Sequence, residues 1–324
     1  MKCVCRMVLA VLAIAASMSV AIPAQSPSTG QHPDQIRALQ ASIAAAPAQA
    51  GAATWLRLAV LCQDAARYKE SEQAYRKAIG LLKSSDRASL AMALDHMGTM
   101  FVETGRFAKA EPLEQKALEI RQALNDSTGV GISYMHLAVL SLGKHDLDAA
   151  EADAEMAVSL IAPTQAQPEA QSAAMHVTPS TPSTPEQQMA ALIDLSLVRC
   201  ARGSCATAVP HLTRALTLAH ANYQANSVPV GFLDFLLGYA NWKNGNSPAA
   251  AQLMKTGTSE LESQLGWGHP TYIAALKQYH AFLIENGEPA AALQVGATIA
   301  GIKQNQQARP QGAARVALSF DQLP

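Results

Sequence analysis

The sequence predicts an all-α chain, a solenoid of about six helix–turn–helix units. Three observations carry that prediction: a phrase recurring about every 40 residues, an alanine-rich composition, and apolar residues at helical spacing. Nearly half of the 324 residues are hydrophobic, yet aromatics make up only 5%, so small side chains carry much of the apolar surface. Alanine has the best intrinsic helix propensity, and roughly 250 folded residues suffice to bury a core.

The recurring phrase is Arg67-Tyr68-Lys69-Glu70-Ser71, then Gly105-Arg106-Phe107-Ala108-Lys109-Ala110, then Asp146-Leu147-Asp148-Ala149-Ala150. It returns as Gly203 to Ala208, Gly245 to Ala250 and Gly287 to Ala292. The corresponding small residues are Ser71, Ala110, Ala150, Ala208, Ala250 and Ala292, separated by 39, 40, 58, 42 and 42 positions. The long interval is one period plus an insert of about 16 residues, a unit length typical of helical repeats. Before each phrase stands an amphipathic stretch, such as Leu94, Met97, Phe101 and Val102, or Leu192, Leu195 and Val198. Each unit is therefore two helices around a tight turn, with apolar faces that only a neighbouring unit can cover.

Along the chain, residues 1–24 read as a secretory signal peptide. Lys2 and Arg6 precede an apolar run from Met7 to Ile22, and Ala21 and Ala24 offer a cleavage site. An uncleaved anchor is the alternative, though the run is short for a full span. Residues 25–51 comprise a linker and one capping helix, about 33–46, with Ile36, Leu39 and Ile43 on its apolar face and Asp34 as its N-cap. The Ala/Gln/Pro stretch before Trp55 is a loop. Units one to three occupy 52–162 and units four to six 187–304. The intervening 163–186, with Pro163, Pro168, Pro179, Pro182 and Pro185 among Ser and Thr, is a low-complexity insert. Residues 305–324 form a tail.

Within the repeats, Ala110-Glu111-Pro112-Leu113 followed by Ala117-Leu118-Glu119-Ile120-Arg121, and the connection Leu265-Gly266-Trp267-Gly268-His269-Pro270, resemble the tetratricopeptide repeat. The match is to the longer repeats of kinesin light chains, over roughly residues 52–304. Departures are the largely missing proline after the second helix, His280 where the family has a small residue, and Gly257 where it has alanine. The resemblance implies a right-handed superhelix whose first helices line a concave groove that binds a protein or peptide.

That implied groove receives Met92, Asp95, Thr99 and Glu103 from the second unit and Ile132, Met135, Val139 and Leu142 from the third. The fourth supplies Ile193 and Leu197, and the fifth the aromatic set Phe232, Phe235, Tyr239 and Trp242. Met and aromatic side chains are enriched in interface cores, but the same residues would serve equally as packing between units. Groove-lining positions that would clamp a C-terminal carboxylate with Lys, Arg and Asn in related domains are mainly apolar here.

Other function classes find little support. The formal net charge is −1 with mixed signs, against the basic stripe of nucleic-acid binding and polybasic membrane attraction. Ser141-Leu142-Gly143-Lys144, Tyr239-Ala240-Asn241 and Lys255-Thr256-Gly257 mimic serine β-lactamase signatures, but at helix and turn positions rather than around a strand. The nine His lack the i, i+4 partners of helical zinc sites, so neither metal nor cofactor is expected. After signal cleavage Cys62, Cys200 and Cys205 remain; Cys200 and Cys205 are disulfide candidates and one thiol is left over. The expected function is an exported, periplasmic or secreted, non-catalytic scaffold that binds a protein or peptide. The alternatives are an assembly component of a cell-envelope complex without a groove ligand and, more remotely, an enzyme on a helical-repeat scaffold.

Overall fold

A computed structural model describes residues 32–82, 86–163 and 182–308. Among these residues there are thirteen α-helices, one 3-10 turn and no strand. Helix α1 (His32–Ala45) is followed by the 3-10 turn Pro47–Gln49 and then six hairpins. These pair α2 (Ala52–Asp64) with α3 (Tyr68–Leu81), α4 (Arg87–Glu103) with α5 (Phe107–Ala123), and α6 (Ser127–Gly143) with α7 (Leu147–Ile161). After the insert come α8 (Pro185–Ala201) with α9 (Cys205–Asn222), α10 (Val228–Lys243) with α11 (Ser247–Leu265), and α12 (Pro270–Glu285) with α13 (Pro289–Ala308). The first three hairpins and α1 belong to one compact unit and the last three to another, divided between Pro182 and Ser183.

The repeated phrase has a backbone cause. Every hairpin turns at a left-handed residue: Ala66, Gly105, His145, Gly203, Gly245 and Gly287. The next N–H reaches back five residues, as in Arg67 to the Cys62 carbonyl at 2.7 Å, Arg106 to Phe101 at 2.7 Å and Glu288 to Leu283 at 2.9 Å. This bond closes the first helix and satisfies one of its orphan carbonyls. Five residues after each turn stands the small residue of the phrase, and Ser71, Ala110, Ala150, Ala208 and Ala250 are all fully buried. There the second helix crosses the first too closely for a larger side chain. Ser71 also donates from its hydroxyl to the Ala59 carbonyl at 2.8 Å.

Starts of helices are marked by side-chain caps. Asp86, Asp126 and Asp146 each accept from a backbone N–H three residues on, and Thr184 with Gln187 forms a capping box. Two local expectations change. Asp34 does not cap α1: the helix begins at His32, and Asp34 lies in its first turn, paired with Arg37. Trp55 follows no open loop, because α2 already starts at Ala52. Ile36 and Ile43 of α1 share a buried cluster with Leu58 and Cys62, so α1 covers the first hairpin. Helix α13 runs on to Ala308, past the expected end of the repeats. The signal-peptide reading, residues 164–181 of the insert and the tail beyond 308 lie outside the described residues.

The two departures at His280 and Gly257 are both compensated. Gly296 on α13 leaves room for the imidazole, since a methyl there would stand 3.1 Å from His280 Nε2. At Gly257 the backbones of α10 and α11 meet: a methyl would lie 2.4 Å from the Gly231 carbonyl oxygen and 2.5 Å from the Phe235 backbone nitrogen. Alanine would gain about 1 kcal/mol of helix propensity, but it must displace backbone, and overpacking of this kind costs about 1–3 kcal/mol. Gly257→Ala is therefore expected to destabilise by about 1 kcal/mol net, read as a lower urea midpoint at unchanged slope.

Candidate functional site

The groove expected from the sequence is largely interior in the structure. Met135, Leu142, Ile193 and Leu197 are buried, as are Asp95, Phe232, Phe235, Tyr239 and Trp242; Thr99, Glu103, Ile132 and Val139 are half-buried and Met92 is exposed. The reason is clearest in α10, an almost unbroken apolar sequence in which every residue from Val230 to Trp242 is buried. A helix apolar all round is a core helix. The Trp242 ring meets Tyr239 at 5.8 Å and Phe282 of α12 at 5.7 Å, both edge-on. Its Nε1 donates to Glu285 at 3.0 Å, and Lys243 Nζ stands 3.2 Å from its ring centre. These contacts fasten the fifth hairpin to the sixth.

Between α8 and α10 lies a small apolar hollow, with Met189, Ile193 and Phe232 among its walls and Glu186 and Pro229 among its partly exposed residues. Glu186 is oriented by Tyr223, whose hydroxyl donates to Oε1 at 2.7 Å, and this bond is the first cause holding the carboxyl below its ordinary pKa. The hollow is far smaller than a small-molecule site. Ile193 and Phe232 are the two expected residues that line it; the others of the set do not.

The structure bonds Cys200, in the last turn of α8, to Cys205, the first residue of α9. Cys62 is fully buried, and burial pushes its thiol pKa up.

A polar cluster that sequence spacing does not reveal sits inside the second and third hairpins. Asp95 comes from α4, Glu114 and Arg121 from α5, and Ser133 and His136 from α6. Asp95, Glu114, Arg121 and Ser133 are all buried, and the His136 side chain is 16% exposed. Arg121 pairs with Asp95 Oδ2 and donates to the Ser133 hydroxyl at 2.6 Å. His136 Nδ1 lies 3.4 Å from Glu114 Oε2 and 3.9 Å from Asp95 Oδ1. Gly98 makes this possible, because a methyl there would stand 2.1 Å from Glu114 Oε1. Burial raises the Glu114 carboxyl. Burial also pushes the His136 imidazole down, but Asp95 and Glu114 outweigh it and hold its pKa above the ordinary value.

Nearby, Glu103 at the end of α4 accepts from Gln63 Nε2 at 2.9 Å. Burial raises its carboxyl to about 7. The folded state then holds a proton that the unfolded chain releases near pH 4.5, so stability falls as pH rises from about 4.5 to 7. Glu103→Gln keeps an acceptor for Gln63 and removes the charge. It is expected to add about 2 kcal/mol at pH 8 and nothing at pH 4, measured by urea unfolding at the two pH values.

The tetratricopeptide-repeat family model matches residues 51–123, which span α2 to α5. No curated protein sequence matches the chain. Among solved structures, the fold is similar to a kinesin light chain with nearly identical repeats from Podosopora anserina. There 16% of residues are identical, 69% of this chain and 99% of that chain are covered, and the TM-score is 0.51. It is also similar to BtubC from P. vanneervenii, with 16% identity, coverage of 76% and 92%, and a TM-score of 0.56. A Rap protein solved in complex with Competence and Sporulation Factor matches at 13% identity, coverage of 79% and 64%, and a TM-score of 0.54.

Proposed function

From the premise that the chain is a tetratricopeptide-repeat protein, its repeats similar to those of kinesin light chains, we propose that it is an exported scaffold that captures a protein or peptide on its first helices. The observation that carries this reading is the apolar hollow between α8 and α10. It opens on the first helices of consecutive hairpins, the surface that the family uses for partners. A Rap protein of similar fold was solved in complex with Competence and Sporulation Factor, which supports a protein or peptide ligand for this one.

Export is supported by the N-terminal charge and apolar pattern and by a disulfide, a bond that persists mainly in oxidising compartments. N-terminal sequencing of the mature protein should begin at Gln25; a retained Met1 would contradict cleavage.

The test fills the hollow. Ala190 is buried at its wall, and Ala190→Leu adds bulk there without removing a core contact. Affinity capture from an envelope extract should retain a specific protein on wild type and lose it on the variant, with helicity retained and the unfolding midpoint lowered only by the overpacking cost of about 1–3 kcal/mol. Equal retention on both would remove the hollow from the account.

A further inference from the structure

The polar cluster belongs to the compact unit that holds the first three hairpins, and its geometry points to a second property. We propose that Asp95, Glu114 and His136 form a binding site for a divalent transition-metal ion of the zinc class. One donor comes from each of three consecutive helices, and the three ligand atoms lie within 4.8 Å of one another. Protein ligands bind zinc at about 2.0–2.2 Å, so neighbouring donors around a tetrahedral ion stand about 3.4 Å apart. His136 Nδ1 is already 3.4 Å from Glu114 Oε2 and 3.9 Å from Asp95 Oδ1.

The donors are also unspent. Both Glu114 oxygens, Asp95 Oδ1 and His136 Nδ1 are buried and make no hydrogen bond, and the Glu114 residue is fully buried. Buried carboxylate oxygens in that condition are costly unless a cation or proton meets them. Around the donors stands a supporting shell of the kind metal ligands need. Arg121 holds Asp95 by its other oxygen while anchored on Ser133, and Gly98 leaves the space in which Glu114 lies. The mixed imidazole and carboxylate set favours zinc, cobalt or manganese over calcium or magnesium, which take oxygen donors. The side chain of His136, 16% exposed, provides the route in from solvent.

The test uses the full mature chain, stripped with chelator and titrated with Co²⁺ and Zn²⁺. Wild type is expected to bind one ion per chain with visible cobalt ligand-field absorption, and Glu114→Gln or His136→Gln should weaken binding by about 100-fold. Crystals soaked in Zn²⁺ should show an anomalous peak bonded to all three side chains, a readout that stands even if the variants fold poorly. Absence of binding by wild type, unchanged affinity in a folded variant, or a peak elsewhere would each overturn the site.

Discussion

Phe235→Ala is expected to destabilise the protein by about 4 kcal/mol, a large share of an ordinary domain's stability. The ring is 2% exposed and lies where α10 and α11 touch through Gly231 and Gly257, a backbone contact that cannot close around a void. Transfer of the aromatic ring to water and the residual cavity both contribute, and neither is offset by relaxation. Trp242→Ala should act similarly through loss of its contacts with Tyr239, Phe282 and Glu285. Equilibrium urea unfolding decides between two roles for this aromatic set. A variant that lost partner capture at unchanged stability would make the set a binding surface, against the packing described.

Arg121→Met should cost about 3–5 kcal/mol, because it removes one partner of a buried ion pair and leaves the Asp95 charge facing only the more distant His136. The loss from Asp95→Leu alone should also be large, but the double variant is expected to recover much of it, since an apolar pair of similar volume can replace a buried salt bridge at little cost. A double-mutant cycle in the presence of chelator measures the coupling. A sum of single effects with no coupling would mean that Arg121 acts through packing alone. Chelator matters here because Asp95 is also a proposed metal donor.

The hairpins were legible because one local requirement repeats: a left-handed turn residue, then a small residue five positions on where the helices cross. Gly105, Gly203, Gly245 and Gly287 advertise that turn, while Ala66 and His145 hide it. What periodicity could not decide is which side of a first helix faces a neighbour and which faces a groove, since both are apolar. Ile193 and Phe232 line the hollow, whereas Met135, Leu142, Leu197, Phe235, Tyr239 and Trp242 were directed to the groove by the same rule and are buried.

The metal-donor cluster escaped for a different reason. A search for ligands at i, i+4 looks within one helix, and here each helix gives one donor. A search at the repeat period misses it too: the second and third units are 40 residues apart and Asp95 and His136 are 41 apart (136 − 95 = 41), so the two do not occupy equivalent positions.

The most direct measurement of the central claim, capture of a partner on the first helices, is photo-crosslinking in cells that produce the protein. A photoreactive residue at Pro229, partly exposed at the hollow, is compared with one at the exposed Lys255 on the second helix of the same hairpin. A discrete protein adduct at position 229 that is absent at position 255, and absent again when Ala190→Leu fills the hollow, is the predicted result. Adducts of equal yield at both positions, or at 255 alone, would contradict it.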